Sequence, residues 1–154
     1  MNRNIRVSVL LFKKDEILVV NMKRDTSNIF VLPGGALENK ESIFDAGIRE
    51  VKEETTLEIV IEKIVYIKEL YTDNEESLDI ILLGKIIGGE LKKGYDPEYG
   101  DNQALNEVKW IKIKNLINLN FHPRQLVNRL EFDFKNNFNN GTIYLGRFKY
   151  PEKD

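Results

Sequence analysis

The sequence predicts an α/β fold of the α+β kind, in which a mixed central sheet lies between helices. Three observations carry that expectation. Apolar, β-branched runs recur through the first 91 residues, a strong amphipathic helix interrupts them at 41–55, and a second helix-like stripe follows the last long strand. The 154 residues are assigned to a single domain, 1–154, a length that suits one real hydrophobic core.

Each element follows from its own pattern. "IRVSVLLF" (5–12) and "ILVVNM" (17–22) flank the turn-like "KKDE" and read as a hairpin of two buried strands. After the polar stretch "RDTSN" (24–28), "IFVLPGG" (29–35) is a short strand running into a Pro-Gly-Gly break. From Glu41 to Thr55, Ile43, Phe44, Gly47, Ile48 and Val51 form an apolar stripe at helical spacing. "LEIVIEKIVYIKELYT" (57–72) and "SLDIILLGKIIGGEL" (77–91) are long strands, paired across "DNEE". Residues 92–106 are polar and rich in turn formers, hence loop. "EVKWIKI" (107–113) alternates as a strand, with Trp110 expected in the core. Leu126, Val127, Leu130 and Phe134 give 123–138 a helical stripe, and "NNGTIYLG" (139–146) reads as a turn with a final strand.

The bulk chemistry excludes several functions. A formal net charge of −2 and a pI near 5.6 provide no basic field for DNA. Absence of cysteine removes disulfides, zinc–thiolate sites and thiol nucleophiles. The N-terminal apolar run is too short and interrupted for a signal peptide or membrane span, so a cytoplasmic location is expected.

Chemistry concentrates in "PGGALENKESIFDAGIREVKEETTL" (33–57). Glu50, Glu53 and Glu54 lie at i, i+3 and i+4 and project from one helix face, where like charges repel by roughly 0.2–0.5 kcal/mol per pair. Such a face is ordinarily just solvated. Beside the flexible Gly34-Gly35 turn, however, these carboxylates make an oxygen-only donor set, suited to Mg²⁺ or Mn²⁺ and not to zinc or copper. A bound cation converts the repulsion into attraction. Arg49 stands two turns after Glu41 and can share a face with it.

The joint spacing resembles the Nudix hydrolases, whose signature is G-x5-E-x7-R-E-U-x-E-E-x-G-U with U a bulky aliphatic. Gly35, Glu41, Arg49, Glu50, Val51, Glu53, Glu54 and Leu57 occupy eight of its nine fixed positions, and Thr56 replaces the remaining glycine. The resemblance implies an α/β/α sandwich and a Mg²⁺-dependent pyrophosphohydrolase. Its substrate would be a nucleoside diphosphate linked to another group, such as a nucleoside triphosphate or an ADP-ribose-like molecule. It also implies Glu50, Glu54 and the Gly34 carbonyl as metal ligands, Glu53 as ligand or base, and Arg49 and Glu41 as residues that orient the carboxylates. Some branches take a further acid from the loop after the long strands; Glu98 is the first candidate and Glu107 the second. Homodimers are common in the family.

Other residues invite weaker readings. His122, the only histidine, precedes Pro123 and is expected to start a helix. Tyr95, Tyr99, Phe30, Tyr71 and Phe121 could stack on a base, although packing suffices to explain them. Thr56 raises the alternative of a non-catalytic nucleotide-sensing module, since a β-branched residue in a left-handed cap costs on the order of 1–2 kcal/mol. The isomerase branch of the fold relies on a cysteine that this chain lacks.

Overall fold

The N-terminal apolar run divides between two sheets. The computed structural model describes residues 2–24, 27–95 and 105–151. In chain order the elements are β1 (Asn2–Leu10), β2 (Phe12–Lys13), β3 (Glu16–Arg24), β4 (Ser27–Val31), β5 (Gly34–Ala36) and α1 (Ile43–Thr55). There follow β6 (Glu58–Tyr71), β7 (Glu75–Gly88), β8 (Leu105–Lys112), β9 (Phe121–His122), α2 (Leu130–Lys135) and β10 (Ile143–Lys149). Six residues of 3-10 helix, Ile113–Asn118, follow β8, and a 3-10 turn, Arg124–Leu126, follows β9.

The first sheet runs β10-β6-β7-β1-β5 and the second β2-β3-β4-β9, with β8 also paired to β3. Both are mixed. β1 lies parallel to β7 and β10 parallel to β6, whereas β6 and β7 form an antiparallel hairpin. The expected fold class holds, and the long hairpin closes where "DNEE" predicted, with Thr72 N–H donating to the Glu75 carbonyl at 2.8 Å.

The expected first hairpin is corrected. Only the two-residue β2 pairs with β3 in that way, through Phe12 and Ile17, while β1 joins the other sheet. The cause is burial on both faces. Val7 and Val9 pack toward α1 with Ala46, Val51 and Leu82, whereas Leu10 faces the second core with Ile17, Val19 and Phe121. A strand so enclosed belongs in a sheet interior beside a parallel neighbour rather than in an isolated hairpin.

Two helices also differ from expectation. α1 begins at Ile43, because the Ser42 side chain caps it by accepting from the Asp45 N–H at 3.0 Å. Its buried positions are Ala46, Gly47, Glu50, Val51, Glu54 and Thr55, while Phe44 and Ile48 remain 40% and 36% exposed. The late helix shrinks to a 3-10 turn and the six-residue α2. Its stripe was nevertheless meaningful, since Leu126 and Leu130 are fully buried between the sheets.

One polar cluster is embedded in that core. Asp133, 1% exposed, accepts from the Tyr66 hydroxyl and from Arg129 Nε at 2.8 Å. Tyr66 is therefore a buried donor that holds a buried charge, and burial raises its phenol well above the ordinary range. Tyr66→Phe is expected to cost about 1–3 kcal/mol in urea unfolding, because it strips a hydrogen bond from a buried carboxylate.

Candidate functional site

The site is assembled from the β5 turn and one face of α1. Glycine is required at Gly34, where a Cβ would stand 2.3 Å from the Val7 carbonyl oxygen; a Cβ on Gly35 would stand 2.3 Å from Glu50 Oε1 and displace that carboxylate. The missing side chains let the Glu50 carboxylate lie directly against the turn. The Gly34 N–H donates to Glu54 Oε1 at 2.7 Å, which ties the last helical turn to the sheet.

Arg49 organises the remaining carboxylates. Its Nε and Nη2 donate to the two oxygens of Glu41 at 2.6 and 3.0 Å, a bidentate pair spanning eight residues. Its Nη1 donates to Glu50 at 2.9 Å and to Glu53 at 3.3 Å, and Nη2 also reaches the Ala36 carbonyl at 3.1 Å. The bond from Arg49, above all, holds the Glu41 carboxyl below the usual carboxylate range, and the Arg49 guanidinium is pushed further up. The sign follows: this pair contributes stability above the ordinary glutamate value and loses it as pH falls through the lower, folded one.

Glu50 and Glu54 are each 3% exposed, whereas the Glu53 side chain is 24% exposed. Among the described residues, no three acidic or imidazole groups converge in a metal-ready cluster. In this arrangement Glu50 and Glu53 turn toward Arg49 and Glu54 toward the Gly34 amide. The donor chemistry still fits a hard divalent cation, because Glu50, Glu53 and Glu54 offer only carboxylate oxygens from adjacent turns.

The threonine pair ends the helix in an unusual way. Thr55 Oγ1 donates back to the Val51 carbonyl at 2.6 Å and accepts from the Leu57 N–H at 3.2 Å. Thr56 keeps the left-handed conformation a glycine would take, with φ 62°, and its hydroxyl donates to the Glu90 carbonyl. The segment after β7 then caps α1. Lys92, Gly94 and Tyr95 N–H donate to the carbonyls of Thr55, Glu54 and Glu53 at 3.0, 2.8 and 3.0 Å. Those bonds satisfy carbonyls that a helix end leaves open.

A cleft of about 410 Å³ opens between the two sheets, with Gly34, Gly35, Glu50 and Glu54 in its wall. His122 lines it too; the residue ends β9, with Pro123 between it and the 3-10 turn, and its Nε2 stands 3.2 Å from Asn120 Oδ1. Tyr71 lines the cleft beneath the Arg147 guanidinium, 4.0 Å from the ring centroid. The other aromatic candidates lie elsewhere: Phe121 is fully buried, Phe30 packs under Lys109, Tyr95 is exposed, and Trp110 packs against the α1-side core as expected. Glu107 sits on β8, accepting from Asn21 Nδ2 at 3.3 Å and paired with Lys109. Glu98 and Tyr99 lie outside the described residues. Reading the sequence did not single out Arg6, Lys68, Asp79 or Tyr150, which also line the cleft.

Comparison with known proteins agrees with this geometry. The family model described as the NUDIX domain matches residues 2–130. The chain belongs to the Nudix family. As a Nudix hydrolase it acts on a phosphoric anhydride bond, and the family works with divalent metal on small nucleotide derivatives. A protein of Methanocaldococcus jannaschii named ADP-ribose pyrophosphatase is 29% identical over 129 residues, covering 80% of this chain and 70% of the relative. A Nudix hydrolase structure from Nitrosomonas europaea superposes with a TM-score of 0.71 at 23% identity, covering 88% of this chain and 90% of that one. A Streptococcus suis ADP-ribose pyrophosphatase gives a TM-score of 0.66 at 17% identity, covering 94% and 98%. At such identities the structural likeness establishes the Nudix fold.

The helix end yields a stability series. A Cβ on Gly94 would lie 1.7 Å from the Glu53 carbonyl oxygen, so Gly94→Ala must lift the capping segment off α1. Urea unfolding should show a loss of at least about 2 kcal/mol. Thr56→Val keeps the strain without the hydroxyl and should lose about 1 kcal/mol. Thr56→Gly trades relieved strain against a lost hydrogen bond and should stay within about 1 kcal/mol of the wild type.

Proposed function

We propose that this Nudix hydrolase is a Mg²⁺- or Mn²⁺-dependent pyrophosphohydrolase of a nucleoside diphosphate linked to another group, with ADP-ribose the first substrate to test. The observation that carries the reading is the pair of buried carboxylates, Glu50 and Glu54, bordering the inter-sheet cleft beside Arg49 and the Gly34-Gly35 turn. The relative named ADP-ribose pyrophosphatase supports the choice of substrate.

Glu50, Glu54 and the Gly34 carbonyl would hold the cation, with Glu53 as a further ligand or as the base. When bound, the cation neutralises the diphosphate oxygens and lowers the barrier to attack by water on phosphorus, which a chain of net charge −2 is poorly equipped to do alone. Glu53, the most exposed of the three, would take the proton of the attacking water if it serves as the base. Arg49 and Glu41 act on the other carboxylates, fixing their direction by charge-assisted bonds. Gly35 keeps the Glu50 side of the cleft open. No described helix is long and apolar enough to cross a membrane. The proposed setting is the cytoplasm and the substrate a free small molecule.

Hydrolysis of ADP-ribose, nucleoside triphosphates and dinucleoside polyphosphates with Mg²⁺ or Mn²⁺ tests the reading. At least one should be turned over, and a chelator should stop the reaction. Glu53→Gln should lower kcat by about 10²–10⁴-fold if it is the base. Glu41→Gln, acting through Arg49, should cost about 10–100-fold. Absence of turnover across the panel, or unchanged turnover in both Glu53→Gln and Glu54→Gln, would overturn it.

A further inference from the structure

β1 carries two arginines on opposite faces of its sheet, since side chains alternate along a strand. Arg3 is committed within the fold: its Nη2 donates to Glu76 at 2.9 Å and stands 3.9 Å from Glu69. Arg6 belongs to the other face and lines the cleft between the sheets. Its neighbours in the register are Asp79 of β7 and Ala36 of β5. Asp79 sits directly opposite, yet its carboxylate accepts from the Ser77 hydroxyl of its own strand. Among the described residues Arg6 forms neither a hydrogen bond nor an ion pair, and it is exposed.

The other cations near the cleft are already engaged. Arg49 uses its three nitrogens on Glu41, Glu50, Glu53 and the Ala36 carbonyl. Lys68 is buried, with its ammonium 5.5 Å from the centre of the Phe148 ring. Among the described residues of the cleft wall, Arg6 is therefore the guanidinium left open to a ligand.

Its position along the sheet says which ligand group it can meet. Ala36, the residue opposite Arg6, lies two residues beyond Gly34, about 7 Å along the strand. An extended arginine side chain covers such a distance, so Arg6 can reach a group bound beside the Gly34-Gly35 turn. Glu50 and Glu54 border that turn and, with a divalent cation, would hold one phosphate of a diphosphate there. The second phosphate would stand in a wall that also carries Glu75 and Asp79, where it needs a positive partner. A guanidinium meets two phosphate oxygens at once through its planar fork.

We propose that Arg6 is a substrate-binding residue that takes the second phosphate of the diphosphate, next to the one held at the Gly34-Gly35 turn. The inference rests on the reading above that the substrate is a nucleoside diphosphate derivative.

The test is calorimetric titration of wild type and Arg6→Gln with AMP and with α,β-methylene-ADP, whose phosphate link water cannot cleave, each with Mg²⁺. The wild type should bind the diphosphate about tenfold or more tightly than AMP. Arg6→Gln should lose about tenfold or more of the diphosphate affinity while holding AMP within about twofold. Added KCl should weaken diphosphate binding more steeply in the wild type than in the variant. Arg6 bonds nothing among the described residues, so the variant is expected to fold as the wild type does. A wild type without preference for the second phosphate overturns the proposal, as does an unchanged diphosphate affinity in Arg6→Gln, or an equal loss of AMP binding. Binding is read without turnover, so failure of the hydrolase reading would appear separately, in the substrate panel.

Discussion

A single guanidinium holds α1 in register with the loop before it. Arg49 bonds Glu41 on one side, Glu50 and Glu53 on the other, and the Ala36 carbonyl beyond the glycine turn. Without that cation, negative groups within two helical turns would repel in a partly buried place, where charge is poorly screened. The planar fork matters as much as the charge. It meets both oxygens of Glu41 and still has a nitrogen for Glu50 and Glu53, which a lysine ammonium could not arrange with the same directionality.

The other end of α1 is held by backbone rather than charge. Thr56 departs from the family glycine, yet it adopts the glycine's left-handed conformation. Its strain is set against a hydroxyl bond to Glu90 and three backbone bonds from Lys92, Gly94 and Tyr95. The missing side chain of a glycine is used two strands later, at Gly94, where the chain passes too close to α1 for any Cβ. The departure at Thr56 was the only motive for a non-catalytic sensor, and the helix turn bearing Glu53 and Glu54 keeps its geometry despite it.

Between these fastenings the two sheets diverge into the cleft. Its position follows from the pattern of the strands: hydrocarbon on one face as far as Leu10 and Ile81, polar groups beyond. The β6–β7 hairpin carries both kinds of residue, so the elements that complete the core also form the cleft wall. Arg147 over Tyr71, paired with Glu76, and Arg3 paired with the same Glu76 brace that wall from outside.

Local patterns revealed the Nudix box, the glycine turn, the β6–β7 hairpin and the presence of the longer strands, because spacing along one helix and alternation along one strand are written into consecutive residues. Glu41 and Arg49 could be paired from sequence because only eight residues separate them. The partner of β1 could not be read locally: its parallel neighbour β7 lies some seventy residues away in the chain, and burial on both faces blurs alternation. The late helix was overestimated because a stripe of Leu126, Val127, Leu130 and Phe134 satisfies a 3-10 turn followed by a short helix as well as one long helix. Lys68 was not singled out in its apolar strand, because only cross-strand register sets it opposite Asp79. By itself, then, the sequence determined the family, the carboxylate set and the need for glycine at the turn. Only the tertiary structure decided how the helix ends on Thr56 and which distant side chains share the cleft, since both depend on contacts between segments that no local spacing specifies.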